Sequence, residues 1–308
     1  KTTTIIMKIG YLLAVKGLLP ARIKAVTFSR AAADEMKARF NRFFPTLPLA
    51  DFSTIHSLAY EVVREYFRKN KQAYQLIEGG QHNDKRQLLR ELFKNETNEN
   101  ITEDQMDELT TYISFLKNKL VAPEQWSKID CSVPAAAEIM KRYETFKSAA
   151  DPLLLDYDDM LLYANEAFAQ DQALLARYQQ LYDYVLTDES QDTSLVQHTI
   201  IEKLVRSHGN LCVVADDDQS IYSWRGAEPA YLLQFKQAYP DAAILFMEQN
   251  YRSSPEIVET ANAFIKRNKH RYNKNMFTRN QPHKPIVIRN LTDYRAQTNY
   301  LLDAIKAL

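Results

Sequence analysis

Short β-branched runs that end in polar or acidic residues, each followed by a helical period, constrain this chain most. The run "RIKAVTF" (22–28) gives way to helix-spaced apolar positions from about Arg30 to Phe43, and "DFSTI" (51–55) feeds a second such stretch from His56 to about Arg68. Apolar runs of this length without alternation read as strands buried on both faces. Strands that alternate with helices pair in parallel beneath helices on both sides. The alternation stops between about 70 and 148, where strands vanish and polar helical segments such as "KRQLLRELFKN" and "AAAEIMKRYETFKSAA" take over. It resumes at "YDYVLTDESQD" (182–192), "NLCVVADDD" (210–218) and "AAILFMEQN" (242–250), followed by a helix from about Pro255 to Asn268 and a last strand at "PIVIRN" (285–290). The expected fold class is α/β: a parallel sheet flanked by helices, with an inserted all-helical subdomain.

Composition narrows the function classes. A chain of 308 residues holds about two domains, or one domain carrying an insertion. With 45% hydrophobic and 25% charged residues it is an ordinary globular sequence, neither disordered nor collagenous. Lys and Arg (39) balance Asp and Glu (39), so a nucleic-acid partner would be met by local patches and not by a global basic field. Cys131 and Cys212 stand far apart with no C-x-x-C pair, which argues against a disulfide scaffold or a zinc site and fits a reducing cytoplasm. The apolar stretch "IIMKIGYLLAV" is broken by Lys8 and followed by Lys16, too short and too charged to span a bilayer, so no membrane association is expected.

The chemistry-bearing residues sit where strands end. In an open α/β sheet, ligands bind at the carboxyl ends of strands. Asp188 and Glu189 follow the strand "YVLT", with Asp192 three residues on. An acid in the first position can hold Mg²⁺ and one in the second can orient or deprotonate a water, while a solvated loop with acidic helix caps is the plain alternative. The next strand runs into "ADDDQSIYSWRGAE", where Gln219 could sense a γ-phosphate, and the one after into "EQNYRSS", where Arg252 offers a forked cation and Tyr251 a ring for a base. An arginine acting on the charge developing at a γ-phosphate is worth roughly 10³ to 10⁵ in rate. At the chain's start, Lys1-Thr2 matches the last two positions of a G-x-x-x-x-G-K-[ST] phosphate loop, although the same pair also opens an ordinary helix. A second constellation is aromatic: Phe28, Tyr222 and Trp224, with Arg225 adjacent and His56 in "STIHS". These residues are either core or a stacking platform for single-stranded nucleic acid.

In order along the chain, "VTFSRAAADEM", "FSTIHSLA", "LDYDDML", "VLTDESQDTSLVQ", "VVADDDQSIYSWRGAE" and "LFMEQNYRSS" resemble the first half of the motif set of UvrD/Rep/PcrA-like superfamily 1 DNA helicases. The combination of the DESQD box with "DQSIYSWRGA" sets that family apart from other P-loop NTPases. The resemblance spans nearly the whole chain and is weakest between about 70 and 148. It implies a RecA-like motor domain 1A over 1–69 and 149–282, a helical 1B insertion over 70–148, and the start of a second motor domain 2A over 283–308. It also implies coupling of Mg²⁺-ATP hydrolysis to 3′-to-5′ movement on single-stranded DNA or at a single-strand/duplex junction. Carried over by position, Lys1 and Thr2 serve the phosphates and Mg²⁺, and Asp188 the Mg²⁺. Glu189 is the catalytic base, Gln219 the phosphate sensor, Arg252 the γ-phosphate arginine and Tyr251 the adenine-packing residue. Phe28, His56, Tyr222, Trp224 and Arg225 match DNA-facing or coupling positions.

Departures from the pattern are Ala215, where the family usually has glycine, and "SRAAADEM", which lacks the usual asparagine-lysine pair. The phosphate-loop glycines and the adenine-recognition segment are expected upstream of residue 1, and the rest of domains 2A and 2B beyond Leu308, so these residues alone are expected to be a poor ATPase and no helicase. Two rival readings are the helicase subunit of a recombinational helicase-nuclease and a nucleotide-dead DNA-binding module. The basic run "KRNKHRYNK" (266–274) is read as a phosphate contact or a solvated helix end.

Overall fold

A computed structural model describes residues 1–78 and 85–307; residues 79–84 of the expected insertion and Leu308 at the end of the expected final segment lie outside the described residues. Compactness divides the chain into Lys1–Ala242 and Ala243–Leu308.

In the first unit a four-stranded parallel sheet runs in the order β2 (Asp51–Thr54), β1 (Ile23–Thr27), β5 (Tyr184–Thr187), β6 (Leu211–Val213). All five residues of β1 are buried, as a strand covered on both faces requires. Its side chains alternate between two cores. Ile23 and Ala25, with Leu186 of β5, pack against helices α1 (Thr2–Ala14) and α2 (Arg30–Phe43) through Ile5, Ile9, Met36 and Phe40. Val26 and Val185 pack on the opposite face against α3 (Ile55–Lys69), α7 (Tyr157–Gln170), α8 (Gln172–Leu181) and α9 (Leu195–Val205). The helix starts follow from capping: the Ser29 hydroxyl accepts from Ala32 N at 3.1 Å and that of Thr54 from Ser57 N at 3.1 Å, so α2 begins three residues after the end of β1 and α3 directly after β2.

The helical insertion has its own core. Helices α4 (Lys85–Thr97), α5 (Glu103–Asn118) and α6 (Ala136–Ala149) bury Leu89, Phe93, Met106, Ile113, Leu116 and Ile139 together. One expectation is corrected here. Strands do not vanish after residue 70: β3 (Tyr74–Leu76) pairs in parallel with β4 (Leu153–Leu155). Three residues are too few to declare a period, and the pairing joins positions nearly eighty apart in sequence.

The single-turn helices α10 (Ala230–Leu233) and α11 (Phe235–Ala238) close the first unit. In the second unit β7 (Gln249–Asn250) pairs in parallel with β8 (Phe277–Thr278), and α12 (Pro255–Ile265) holds that turn through Asn262 Nδ2, which donates to Met276 O at 2.5 Å. Residues 248–278 thus close on themselves, and the compact division falls at 242/243 and not at the expected 282/283. Of the expected strand 242–250 only Gln249–Asn250 forms a ladder, and 285–290 forms none. A β-branched run becomes a strand only where an edge accepts its backbone, and Val287 and Ile288 remain 60% and 81% exposed. Helix α13 (Tyr294–Lys306) follows, capped by Asp293 on Ala296 N.

Candidate nucleotide and nucleic-acid site

The carboxyl end of the sheet gathers the polar residues of the first unit. The Thr2 hydroxyl, in the first turn of α1, donates to Asp188 Oδ2 at 2.7 Å. Asp188 is 4% exposed, and burial raises its carboxyl above the usual range although the Thr2 hydrogen bond pulls the other way. A buried carboxylate short of positive charge beside a hydroxyl is a hard-oxygen pair of the kind Mg²⁺ takes, so the residues present fit the ion. The Lys1 ammonium lies 3.0 Å from Asp216 Oδ2, which also accepts from Gln219 Nε2 at 2.7 Å. Lys1, Thr2, Asp188, Glu189 and Gln219 are therefore brought into one network.

Glu189 adopts a left-handed backbone, φ 51°, uncommon away from glycine and costing on the order of 1 kcal/mol. Its surroundings hold it there. Its N–H donates to Asp188 Oδ1 at 3.1 Å, and the next N–H, that of Ser190, donates to Val214 O at 3.2 Å. Its carboxylate accepts from Gln191 Nε2 at 2.7 Å. Gln191 is a residue that sequence reasoning missed. Its side chain is buried, and while Nε2 holds Glu189, Oε1 accepts from Asp216 N at 3.0 Å. Its backbone carbonyl accepts from the Ser220 hydroxyl at 3.2 Å. The amide thus ties the acid Glu189 to the loop 215–228. The only signal in sequence was its place inside "DESQD". Asp192 is raised to about 6 by burial and by the neighbouring Glu189 charge.

The same loop carries the aromatic residues. Phe28 and Tyr222 stack with ring centroids 5.5 Å apart, Tyr222 and Trp224 lie at 6.3 Å, and the Arg225 guanidinium sits 4.6 Å over the Trp224 ring. Phe28 is 43% and Trp224 48% exposed, which decides against a core role for either. The four residues form a surface platform of π-faces with one cation, the arrangement on which bases stack. His56 is placed differently, in the first turn of α3, where burial holds its imidazole below the usual range against the pull of Asp158.

Tyr251 and Arg252 lie in the second unit. Both are exposed; the Tyr251 hydroxyl donates to Gln249 Oε1 at 3.1 Å and Arg252 N to Asn250 Oδ1 at 2.8 Å. Among the described residues, no helix is long and apolar enough to cross a membrane.

Comparison with known proteins gives the family. Residues 1–240 match the family described as UvrD/REP helicase N-terminal domain, and residues 245–308 the UvrD-like helicase C-terminal domain. The ATP-dependent DNA helicase PcrA of Staphylococcus epidermidis is 33% identical over 312 residues, covering 99% of this chain and 42% of that protein. PcrA of Bacillus subtilis is 33% identical over 287 residues, 91% of this chain and 38% of its own length. DNA helicase II of Rickettsia typhi is 31% identical over 315 residues, 100% and 47% respectively. The chain thus spans less than half the length of these curated relatives.

Proposed function

From the premise that this chain belongs to the UvrD/REP helicase family, we propose that it carries the first motor domain of an ATP-dependent DNA helicase that moves 3′ to 5′ along single-stranded DNA. In this reading residues 70–148 are the helical insertion within that motor domain. The observation that carries the reading is the loop 215–228. Its first half meets Lys1, Gln191 and the DESQD box, and its second half carries Tyr222, Trp224 and Arg225. A change at the phosphates is then felt at the platform through a few residues of one loop.

Lys1 and Thr2 face the ATP phosphates, and Thr2 and Asp188 would hold Mg²⁺, which when bound neutralises phosphate oxygens. Glu189, fixed by Gln191, accepts the proton of the attacking water, and Gln219 sits where the presence of a γ-phosphate changes its partner from Asp216. Arg252 stabilises the charge that develops on the transferred group and Tyr251 packs on the adenine, both by their match to the family motif. Phe28, His56, Tyr222, Trp224 and Arg225 take the DNA, at a single-strand stretch or a junction. The site is read as that of a soluble cytoplasmic enzyme.

The test is steady-state ATP hydrolysis, with and without single-stranded DNA, by the protein at the full length of its relatives, beside Glu189→Gln. DNA-stimulated turnover that falls by about 10² to 10⁴ in the variant is the expected result, the range a positioned general base supplies. Turnover equal in both proteins and indifferent to DNA would leave a nucleotide-dead binding module. Displacement of strands from 3′-tailed but not 5′-tailed duplexes checks the polarity.

A further inference from the structure

The tip of α5 sends three consecutive side chains to two different places. Lys117 is buried, its ammonium 2.8 Å from Asp156 Oδ2 and 2.7 Å from Asp159 Oδ1, both at the start of α7. Asn118 Nδ2 donates to Asp158 Oδ1, also on α7, at 2.8 Å. Lys119 points the other way: its ammonium donates to Ala227 O at 3.0 Å and to Glu228 Oε2 at 2.6 Å, at the end of the loop that carries the aromatic platform. The contact is close-packed. Gly226, directly after Arg225, has φ +89°, and a Cβ there would lie 2.7 Å from Asn118 Cβ. On its other side the loop end is pinned to the segment after the DESQD box, where Glu228 N donates to Thr193 O at 3.0 Å and Ala227 bridges Ser194.

We propose that Lys119, through Glu228 and the Ala227 carbonyl, is a positioning residue by which the helical insertion sets the Tyr222–Trp224–Arg225 platform for single-stranded DNA. This rests on the DNA-motor reading above. Trp224 and Arg225 stand on a single 3-10 turn, Ser223–Arg225, whose own hydrogen bonds are local: Arg225 N donates to Tyr222 O at 2.9 Å and Gly226 N to Ser223 O at 2.9 Å. A turn this short does not fix its own orientation, so its direction is set where it is tied down, at Lys119 on one side and Thr193–Ser194 on the other. The anchor on the Thr193 side is continuous with the nucleotide residues. The Lys119 anchor belongs to the insertion, and it therefore gives the insertion a mechanical hold on the DNA contact that is independent of ATP.

The full-length protein is tested as Lys119→Met and, as a size-preserving second variant, Glu228→Gln, with Lys119→Arg and the exchanged pair Lys119→Glu/Glu228→Lys as rescues. Trp224→Ala serves as the positive control. The readouts are ATP turnover without DNA and the single-stranded DNA concentration that gives half-maximal stimulation. The expected result is unchanged turnover without DNA and a half-saturation point raised about tenfold in both single variants, the equivalent of one charge-assisted hydrogen bond. Lys119→Arg is expected to recover most of that loss and the exchanged pair only part of it, because a carboxylate at position 119 restores the ion pair but cannot donate to the Ala227 carbonyl. A merely structural role would instead lower turnover with and without DNA alike. If wild type is stimulated and Trp224→Ala shifts half-saturation while Lys119→Met and Glu228→Gln do not, the positioning role is wrong and the motor reading stands. If wild type shows no stimulation by DNA, the motor reading fails and takes this inference with it.

Discussion

His198 is buried on α9 with its ring stacked on Tyr231 at 3.8 Å and its Nε2 atom without a partner. Burial pushes its imidazole down to about 3, from an ordinary value of 6.5. The folded chain therefore keeps this ring neutral at pH values where the unfolded chain protonates it. Stability that His198 contributes is present above pH 6.5 and is lost as the pH falls toward 3, by about 2 kcal/mol on reaching pH 5. In His198→Phe, which keeps the stacked ring and removes the titration, the acid loss between pH 7.5 and pH 5 should shrink by about that amount in denaturant melts. The ring also has a hydrogen bond to the Thr193 backbone, which works against the effect of burial; its loss in the variant is a cost across this pH range. His198 is also a measure of what sequence can tell about single residues. That Asp188, Glu189 and Gln219 gather was expected from their places after β5 and β6, and that Lys1 and Thr2 join them from the match to the end of a phosphate loop. Gln191 was not legible, since an uncharged amide inside a charged motif reveals its role only when its two ends are seen on Glu189 and Asp216.

Between elements, the insertion is joined to α7 by buried charge. Burial alone would push the Asp156 carboxyl up, but the ammoniums of Lys117, Lys147 and Lys85 overcome it and hold Asp156 well below the usual carboxylate range. Lys117 comes from α5, Lys147 from α6 and Lys85 from α4, so each helix of the insertion places one cation on the same turn of α7. The Tyr143 hydroxyl adds a donor to Asp156 Oδ2 at 2.9 Å. Removing one partner of such a cluster leaves uncompensated charge in a dry site. Lys117→Met is therefore expected to cost about 3–5 kcal/mol, read from the midpoint of chemical denaturation, and Lys117→Met/Asp159→Leu distinctly less. The insertion's helices were visible as periodic segments, and the motor strands as apolar runs with capped helices after them. Their junction was not, because lysine and aspartate on polar-looking helices give no sign in sequence that they are buried. The same limit explains 285–290, whose strand composition is real but which finds no ladder among the described residues.

At the scale of the chain, equal numbers of basic and acidic residues over its 308 positions argue against a long-range field as the source of the proposed DNA affinity. On the proposed reading, binding comes from local contacts of two physical kinds, and the platform contains both. Trp224 offers a π-face, whose stacking is worth about 1 to 3 kcal/mol per base and releases no counterions. Arg225, 4.6 Å above that ring, offers a cation that neutralises a phosphate, and each phosphate neutralised on a single strand adds about −0.7 to the slope of log K against log salt. The two substitutions should therefore separate in a salt titration of the full-length protein. Trp224→Ala should lower affinity for single-stranded DNA by about tenfold or more at every salt concentration with the slope unchanged. Arg225→Ala should make the slope shallower by about 0.7, so that its deficit is largest at low salt and fades as salt rises. Fluorescence anisotropy of a labelled single strand, read from about 50 to 300 mM salt, distinguishes the two. A parallel loss in both variants would mean that Arg225 acts through the Trp224 ring alone. In that case the chain would grip DNA by its bases and leave the phosphates to residues outside the platform.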